Sequence, residues 1–350
     1  MPVASIVPRM SSASPLLQLP VLQADLGRVE EALRRSVLAE DPFLTEVAGH
    51  LIAAGGKRVR PAFALTSAAT ALASMTPASD EVVMGAVSVE LVHLGSLYHD
   101  DVMDDATTRR TVESVNARWG NLTAILAGDY LLAKASEIAA SLGTEVAGLL
   151  AATIGRLCEG QILELRHAFD LDRSEEAYLS SIDGKTASLL GTACRIGGIV
   201  AELPRPQIDA LTTFGTSFGM AFQIVDDLLD VTATDEELGK PAGHDLVEGT
   251  YTLPVIRTLA GGGALAAELN DLLRQLAPTD GSIEPVEDPA TLEKARGLLR
   301  GSPAVADSLA VARRYVEMGQ QALVPYAGTE ATTALEAAAE HLLGTVHAAG

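Results

Sequence analysis

Apolar residues recur at spacings of three and four along most of this 350-residue chain, and strict two-residue alternation is almost absent. Such spacing aligns apolar side chains on one face of an α-helix, whereas alternation indicates a half-buried strand. Glycine and proline fall mainly between the periodic stretches, where they favour turns. We therefore predict an all-α protein of roughly ten to twelve helices, with helical periodicity over 22–54, 61–73, 80–104, 122–141, 144–167, 175–199, 206–231 and 252–259.

The composition agrees with a helical, single-domain protein. Hydrophobic residues make up 48% of the chain but aromatic residues only 4%, and sheets draw heavily on aromatic and β-branched residues. No shift in composition divides the chain, so we predict one domain over 21–350. The serine- and proline-rich segment 1–20 is predicted to be flexible, and 277–291 is predicted to form a long exposed loop.

The charge and the cysteines exclude several classes of protein. With 25 basic and 46 acidic residues the net charge is −21, which repels phosphates and excludes a general nucleic-acid binder. Cys158 and Cys194 suggest neither a disulfide framework nor a zinc site. We find no apolar run of the ~20 residues that span a bilayer and no secretory signal in 1–20. We expect a cytoplasmic protein without stable membrane insertion.

Two acidic clusters of the form DDxxD carry the strongest chemical signal. Residues three and four apart share a helix face, where like charges destabilise the helix and partial burial adds to the cost. Hard divalent cations reverse this cost, and Mg²⁺ is held by carboxylates together with substrate phosphates. The alternative interpretation is two solvated acidic faces. The clusters are Asp100, Asp101 and Asp104, extended by Asp105, and Asp226, Asp227 and Asp230.

Scarce cations lie beside the first cluster and near glycine-rich turns. They are Lys57, Arg58 and Arg60 in GGKRVRP, Arg109 and Arg110 after the first cluster, Lys185 and Lys240. Arginine holds phosphate oxygens bidentately and lysine acts as a point charge. Metal ions held by carboxylates would let an acidic protein bind an anionic substrate. Alternatively, Arg109 and Arg110 simply pair with Asp104 and Asp105.

Five motifs, in order, resemble the trans-isoprenyl diphosphate synthase (polyprenyl synthetase) family over about 22–259. GGKRVRP is similar to the family's GGKRxRP segment, and HDDVMDDATTRR to its first aspartate-rich motif. GQILE and KTASLL resemble the central motifs, and FQIVDDLLD followed by GKPAGHDLVEGTYTLP resembles the second aspartate-rich region with its lysine loop. The resemblance implies a single-domain orthogonal helical bundle of the isoprenoid synthase type around a central cavity.

The resemblance also implies a reaction. An allylic diphosphate primer would lie between the aspartate clusters, bridged by up to three Mg²⁺, and its ionisation would be stabilised electrostatically. The double bond of isopentenyl diphosphate would attack the allylic carbocation, and the departing pyrophosphate would remove a proton. Homodimers are usual in the family, so we expect a homodimer. A terpene cyclase and a non-catalytic partner subunit remain alternatives.

Site residues follow from the same resemblance. The implied metal ligands are Asp100, Asp101, Asp104 and Asp226, with Asp227 and Asp230 binding through water or supporting Asp226. The implied contacts to the allylic diphosphate are Arg109, Lys185 and Lys240, with Thr186 and Gln223 orienting that group. The implied isopentenyl diphosphate site consists of Gly56, Lys57, Arg60, His93 and Arg110.

Product length in the family depends on the side chain that blocks a tunnel beneath the first aspartate motif. Here Gly95 and Ser96 are small where relatives with short products often carry an aromatic residue. The same face continues through Leu91 or Val92 and Ser88 to Met84, about 24 Å from Asp100 along a helix. We predict an all-trans product of about six to ten isoprene units, with a geranylgeranyl or other short-chain product as the alternative. Close helix packing would also explain the small residues.

Three departures from the family pattern stand out. Thr111 occupies a position that is usually glycine, so this turn is expected to differ slightly. Asp105 stands where glutamate is common, which should be harmless. The C-terminal tail lacks the basic terminus of many relatives, so it is given no role in closing the site.

Overall fold

The computed structural model describes residues 14–238, 241–278, 286 and 288–347. This part of the chain forms seventeen α-helices and one short antiparallel hairpin. The prediction of an all-α fold is confirmed. The helix count exceeds the predicted ten to twelve because three helices have only four or five residues and two of the periodic stretches are divided.

The elements follow one another with short connections. The helices are α1 Pro20–Ser36, α2 Pro42–Ala53, α3 Val59–Ala68, α4 Asp80–Met103, α5 Val115–Trp119, α6 Asn121–Ser141, α7 Thr144–Arg166, α8 Glu175–Ile182, α9 Ser188–Val200, α10 Arg205–Thr232, α11 Asp235–Leu238, α12 His244–Val247, α13 Leu253–Ala260, α14 Gly263–Leu276, α15 Pro289–Arg300, α16 Pro303–Leu323 and α17 Glu330–His347. The hairpin strands are β1 Thr108–Arg109 and β2 Val112–Glu113, and a π-helical turn at Asp183–Ala187 joins α8 to α9.

Two of the periodic stretches are divided for local reasons. In 22–54, the side chain of Asp41 accepts a 2.9 Å hydrogen bond from the Phe43 amide, and Pro42 is the first residue of α2. An aspartate cap followed by proline is a strong start signal, so a new helix begins there. In 175–199, the π-helical turn interrupts the regular helix.

Helix α4 lies at the centre of the fold. The Ser79 hydroxyl caps its N-terminus by accepting a 3.3 Å hydrogen bond from the Val82 amide. Most of the helix from Val82 to Leu94 is buried, with α3, α6 and α9 packed against it. A helix covered on nearly all sides is positioned by packing rather than by a single apolar face. Its C-terminal end carries the first aspartate cluster.

Helix α10, with 28 residues, is the second long element and packs against α9 and α16. Its Phe214 and Phe218, one helical turn apart, pack with Phe63 of α3, and the Phe63 and Phe218 ring centroids are 4.5 Å apart. Aromatic contacts of this kind fix the distance and rotation of neighbouring helices. The C-terminal end of α10 carries the second aspartate cluster.

A second, smaller apolar core joins the end of α10 to the C-terminal helices. It consists of Val231, Leu246, Tyr251, Val255, Leu269, Leu273, Ala295 and Leu299. These residues come from α10 and from α12 to α15 and the segment between α12 and α13. Burial of these side chains holds the segment that follows the second aspartate cluster in place.

The N-terminal segment differs in part from its prediction. Residues 1–13 lie outside the described residues, whereas Pro15–Gln18 form a 3₁₀ turn that packs against α17. Leu16 in this turn is fully buried, so apolar burial orders residues 14–20 despite their proline content. Most of the loop predicted at 277–291 also lies outside the described residues.

Two helices bear on the prediction that no apolar run spans a bilayer, although both carry charged side chains, Glu90 in α4 and Arg156 and Glu159 in α7. By length and composition, α4 and α7 are both long and apolar enough. In α4, 72% of the most apolar 18-residue stretch is buried inside the protein, as in the core helix of a globular domain. In α7, only 22% of the corresponding stretch is buried. The structure therefore leaves an apolar face of α7 exposed.

Candidate active site

The first aspartate cluster lies at the C-terminal end of α4. Asp101 is fully buried, and its Oδ1 accepts hydrogen bonds from Arg109 Nε at 2.6 Å and Arg109 Nη2 at 2.5 Å. No donor among the described residues reaches Asp101 Oδ2, which is also buried. Asp100 is half-buried and Asp104, at the helix end, is accessible to water. The alternative interpretation, in which Arg109 pairs with Asp104, is thus not what the structure shows, because Arg109 pairs with Asp101.

Burial and like charges destabilise the ionised forms of these carboxylates. Burial raises the pKa of Asp100, while Lys185 and Arg109 oppose that shift. Asp104 is accessible to water, but its pKa is raised to about 6. The largest cause is desolvation by the surrounding protein, and the second is repulsion from the Glu248 carboxylate. The negative end of the helix dipole adds to this field. A divalent cation placed here would stabilise both carboxylates.

In the second cluster the structure separates the three carboxylates. Asp226 is partly exposed, whereas Asp227 and Asp230 are 4% and 1% exposed. Asp227 accepts hydrogen bonds from the Tyr178 hydroxyl at 2.6 Å and from Gln223 Nε2 at 2.8 Å. Both of these carboxylates are thus held inside the protein, and their predicted role toward Asp226 stays a prediction.

Asp230 organises the segment after the second cluster. Its carboxylate accepts hydrogen bonds from the backbone amides of His244 and Asp245, at 3.3 and 3.1 Å. These amides lie at the start of α12, where they have no partner within the helix. Asp230 therefore ties α12 to the end of α10 and positions the segment that carries Glu248.

The π-helical turn carries the central lysine. Lys185 Nζ forms an ion pair with Glu164 of α7, and the Thr186 hydroxyl donates a 2.8 Å hydrogen bond to Gln223 Oε1. Because Gln223 also donates to Asp227, the turn is connected directly to the second cluster. A π-helical turn in this position is typical of a functional site.

Two glycines bring this turn against α7. A Cβ atom on Gly160 would lie 2.4 Å from the Lys185 backbone nitrogen, and one on Gly184 would lie 2.8 Å from the Arg156 carbonyl oxygen. No side chain fits between the two backbones at such distances. The glycine of the GQILE motif therefore places Lys185 and Glu164 on the same side of the site.

Electrostatic interactions connect the two aspartate clusters. Lys185 lowers the pKa of both Asp100 and Asp104, while Glu164 raises the pKa of both Asp100 and Asp227. Desolvation by the surrounding protein is the largest cause in each case and raises the pKa of all three carboxylates. The effects of Lys185 fall on two carboxylates of the first cluster, whereas Glu164 acts on one carboxylate of each cluster, which requires that the clusters face a common space. The predicted arrangement of two acidic walls is thus supported by the charges between them.

The carboxylates do not form a metal cage of their own. Within the ranges that the structure describes, no group of three or more His, Cys, Asp and Glu side chains is close enough to hold one ion. Mg²⁺ usually binds through one or two carboxylates, water and substrate phosphates. The donor set, all hard oxygens with a buried Oδ2 of Asp101 that has no donor among the described residues, fits such shared coordination.

The cationic segment GGKRVRP lies beside the arginines of the hairpin. Arg110 Nη1 donates to the Leu51 carbonyl oxygen at 3.2 Å and to the Gly55 carbonyl oxygen. A Cβ atom on Gly56 would lie 2.8 Å from Arg110 Nη1. The structure thus brings Gly56 and Arg110, both predicted for the isopentenyl diphosphate site, into direct proximity.

His93 and Arg60 complete this region. Burial, followed by repulsion from Arg60 and Arg110, lowers the pKa of His93 well below its usual value. His93 is therefore neutral at physiological pH and can donate or accept a hydrogen bond without changing the charge of the site. Burial lowers the pKa of Arg60 to about 10, and the Glu90 carboxylate opposes that shift.

The hairpin turn at Arg110 and Thr111 shows why a glycine suits this position. Arg110 and Thr111 have φ values of +51° and +67° between the paired residues Arg109 and Val112. Two left-handed residues in a two-residue hairpin loop match a type I′ turn, which favours glycine and asparagine. A β-branched threonine is strained there. Threonine in place of the family's usual glycine therefore adds local backbone strain at position 111, but the hairpin still forms.

The predicted product-length face is buried along most of α4. Leu91, Val92 and Ser88 are fully buried, and Ser96 and Met84 are partly buried.

Gly95 lies in the contact between α4 and α6. A Cβ atom on Gly95 would lie 3.0 Å from the Gly128 carbonyl oxygen and 3.1 Å from Leu132 Cγ. Close helix packing, the alternative left open above, therefore accounts for the small size of Gly95.

Sequence reasoning missed several residues of the site. Glu164, Tyr178, Glu90 and Glu248 contact or act on the predicted residues but were not predicted themselves. Glu164 and Glu248 had a sequence signal, because Glu164 ends the GQILE motif and Glu248 lies in GKPAGHDLVEGTYTLP. The prediction for Lys240 falls outside the described residues.

Comparisons with known proteins decide the family. The family model described as Polyprenyl synthetase matches residues 41–286. The nonaprenyl diphosphate synthase of Mycobacterium tuberculosis is 39% identical over 302 residues, which is 86% of this chain and 87% of that protein. This chain belongs to the polyprenyl synthetase family. The predictions of family and of prenyltransferase enzyme class are confirmed.

Other relatives in this family bear on product length and assembly. Component 2 of the heptaprenyl diphosphate synthase of Geobacillus stearothermophilus is 38% identical, covering 85% of this chain and 88% of that protein. The structure of a Caulobacter crescentus polyprenyl synthase complexed with calcium and isoprenyl diphosphate has a TM-score of 0.83 at 32% identity, covering 94% and 96%. A geranylgeranyl pyrophosphate synthase of Corynebacterium glutamicum has a TM-score of 0.79 at 37% identity, covering 94% and 96%.

Proposed function

We propose that this polyprenyl synthetase condenses isopentenyl diphosphate with an allylic diphosphate, head to tail, to give an all-trans product of about six to ten units. The observation that carries the proposal is the π-helical turn between the aspartate clusters: its Lys185 acts on Asp100 and Asp104, and its Thr186 bonds Gln223, which donates to Asp227. A second cationic region, with Arg60, also acts on Asp100. Two anionic substrates need two such cationic regions, and a terpene cyclase needs only one.

Each group of residues has a defined task in this proposal. Asp100, Asp101, Asp104 and Asp226 supply oxygen ligands, and bound Mg²⁺ would supply electrostatic stabilisation of the departing diphosphate. Lys185 and Arg109 orient the allylic diphosphate as fixed positive charges. The neutral His93 and the arginines beside it hold the second diphosphate.

Magnesium, with up to three ions, is the proposed metal. All candidate ligands are carboxylate oxygens, and the surrounding protein raises the pKa of Asp100 and Asp104, so an added cation would stabilise their ionised forms. Hard cations with oxygen ligands meet that need. Calcium accompanies isoprenyl diphosphate in the Caulobacter relative. Activity should be abolished by a chelator and restored by Mg²⁺.

The proposed product length is supported by the relatives, two of which carry nonaprenyl and heptaprenyl names. The geranylgeranyl relative supports the alternative of a four-unit product. The test is to incubate purified protein with isopentenyl diphosphate, Mg²⁺ and one of three primers: dimethylallyl, farnesyl or geranylgeranyl diphosphate. The length of the product distinguishes the two proposals. Products of six to ten units in chromatography and mass spectrometry support the proposal. Accumulation of a four-unit diphosphate, a cyclic hydrocarbon or no product would contradict it.

We propose that the enzyme is a homodimer that pairs through α6 and α7. Leu122 and Leu126 of α6 are 80% and 67% exposed, and Ile162 and Leu165 of α7 are 58% and 52% exposed. Together with the poorly buried α7, they form an apolar face of the kind that a second copy covers. Light scattering should give twice the monomer mass of 36.4 kDa, and Leu126→Asp should give monomers. A monomeric, inactive wild type that gains activity with a second protein would instead support a two-component synthase.

The proposed location is the cytoplasm, with only transient contact to membranes. The net charge of −21 disfavours lasting attachment to an anionic leaflet. Fractionation of cells that express the full chain should recover it in the supernatant. Recovery with membranes after a high-salt wash would contradict this proposal.

A further inference from the structure

A buried glutamate lies next to the cationic region proposed for isopentenyl diphosphate. Glu90 of α4 is 2% exposed, and its Oε1 accepts a 2.9 Å hydrogen bond from Arg58 Nη1. The same oxygen lies 3.9 Å from Arg110 Nη2. Because its carboxylate is shielded from the surface, Glu90 acts on a bound diphosphate only through these neighbours.

Arg58 connects Glu90 to the scaffold of the protein. Its guanidinium is buried, donates to Glu30 of α1 through Nε, and donates to the Ile52 carbonyl oxygen through Nη2 at 3.3 Å. With donors committed to Glu30, Ile52 and Glu90, Arg58 ties α1, α2 and α4 together at one point. Of its two carboxylate partners, Glu30 is 25% exposed and Glu90 only 2%, so loss of the Glu90 charge removes from the buried guanidinium a counter-charge that water cannot replace.

The loop that contains Gly55 and Gly56 packs against the guanidinium groups of Arg58 and Arg110. A Cβ atom on Gly56 would lie 2.8 Å from Arg110 Nη1 and 2.9 Å from Arg58 Nη1. The backbone thus passes close to two positive charges, and Arg110 donates to carbonyl oxygens of that backbone. A shift of either guanidinium would displace the loop that carries Lys57.

The arginines of this region repel one another, and the Glu90 carboxylate offsets part of that repulsion. Burial lowers the pKa of Arg110, Glu90 opposes that shift, and Arg58 and Arg109 reinforce it. Burial is also the largest cause that lowers the pKa of Arg60. The Glu90 carboxylate opposes this decrease, and the positive charge of Arg110 adds to it. Glu90 is thus a shared counter-charge for Arg58, Arg60 and Arg110.

We propose that Glu90 is a positioning residue for the isopentenyl diphosphate site: its buried carboxylate pairs with Arg58 and holds Arg110 in place to receive a diphosphate. The inference rests on the proposed function, since it names the support of that function's second substrate site. Preorganised donors bind without the cost of rearrangement at the moment of binding. Loss of Glu90 should therefore weaken binding of isopentenyl diphosphate specifically.

The test is Glu90→Gln, which keeps the shape of the side chain and removes its charge. We expect the KM for isopentenyl diphosphate to rise at least tenfold, about 1.4 kcal/mol. The kcat at saturation should stay within twofold of wild type, and the KM for the allylic diphosphate should not change. Titration calorimetry with isopentenyl diphosphate alone should show the same loss of affinity. A general structural defect would lower kcat and affect both substrates.

Glu30→Gln is the matched control, because Glu30 also pairs with Arg58 but lies partly exposed on α1. We expect less than a threefold change in that KM. Equal effects of both variants, or an unchanged KM in folded Glu90→Gln, would overturn the inference.

If Glu90→Gln does not fold, Glu90→Asp is measured instead: a rise in the KM for isopentenyl diphosphate alone supports the inference, and none overturns it. A wild type that neither binds nor uses isopentenyl diphosphate would refute the proposed function itself.

Discussion

The Tyr178 hydroxyl donates a 2.6 Å hydrogen bond to Asp227 Oδ2, so a buried tyrosine of α8 holds the central carboxylate of the second aspartate cluster. Burial raises the pKa of Asp227 to about 6, while the bonds from Tyr178 and Gln223 oppose that shift. The two donors thus stabilise the ionised carboxylate, and through Gln223 they extend to Thr186 in the π-helical turn.

Removal of this donor by Tyr178→Phe should destabilise the protein by about 1–3 kcal/mol, because a buried acceptor loses its partner. The pKa of Asp227 should rise further, so the acidic limb of the pH–rate profile should move to higher pH. Urea denaturation and a pH profile of kcat measure both effects. Tyr326→Phe, at a partly exposed tyrosine between α16 and α17, is the control. Wild-type stability and pH profile in Tyr178→Phe would refute this assignment.

Mg²⁺ binding should depend on pH through Asp104. Its folded-state pKa of about 6 lies above the ordinary 3.8, so its protonation stabilises the metal-free fold below about pH 4, and that contribution disappears as the pH rises through 6. Mg²⁺ binds the ionised form, so the affinity should increase up to about pH 6 and then level off.

Thermal shift titrations with Mg²⁺ between pH 5 and 8 test the role of Asp104. Asp104→Asn should flatten the dependence, and Asp271→Asn, at an exposed residue of α14, should leave it unchanged. The same affinity at pH 5 and 7 in the wild type would contradict this prediction.

Gly160→Ala should lower both stability and activity. The new methyl group would lie 2.4 Å from the Lys185 backbone nitrogen and 2.8 Å from the Ser181 carbonyl oxygen, so the turn that carries Lys185 must move. We expect a loss of about 1–3 kcal/mol and a decrease in kcat. Gly297→Ala, in an exposed helical position with no atom within 4 Å of the new Cβ, should instead stabilise the protein by about 1 kcal/mol. Equal melting temperatures for the two variants would show that the close backbone contact does not exist.

Thr111→Gly should stabilise the protein. The φ of +67° costs a β-branched residue about 1–2 kcal/mol, and glycine removes that strain at a smaller cost in chain entropy. We expect a net gain of about 1 kcal/mol, measured by chemical denaturation. Thr111→Asn should lie between the two, and Thr111→Val should not gain. A loss of stability in Thr111→Gly would show that the hydrogen bond from the Thr111 hydroxyl to the Arg110 carbonyl oxygen outweighs the strain.

Product length should respond to Ser96→Phe. Gly95→Phe is a poor test, because the new side chain would push against the Gly128 carbonyl oxygen 3.0 Å away and separate α4 from α6. Ser96 is partly exposed, and its hydroxyl donates a hydrogen bond to the His93 carbonyl oxygen of its own helix. We expect the products of Ser96→Phe to shorten to three or four units in chromatography, with Ser96→Ala as the control. Unchanged length would place the tunnel on another face of α4.

The clusters and the helices could be predicted from the sequence because their signals are local. The periodicity ending near Asp104 and Val231 placed both aspartate clusters at helix ends, where α4 and α10 carry them. Prediction from local sequence missed the break between α1 and α2 at Pro42, where one residue starts a new helix. It also missed that burial of Leu16 orders a proline-rich segment.

The sequence by itself determined which residues are available and that they lie on helices, since a helical period and a DDxxD spacing are properties of neighbouring residues. Only the tertiary structure decided which carboxylates face the shared space and which are held inside. The Glu164–Lys185 pair, the contact of Gly160 with the π-helical turn and the packing of Gly95 against Gly128 all depend on how separate helices dock. Docking is set by the summed packing of many side chains, and no short stretch of sequence contains that sum.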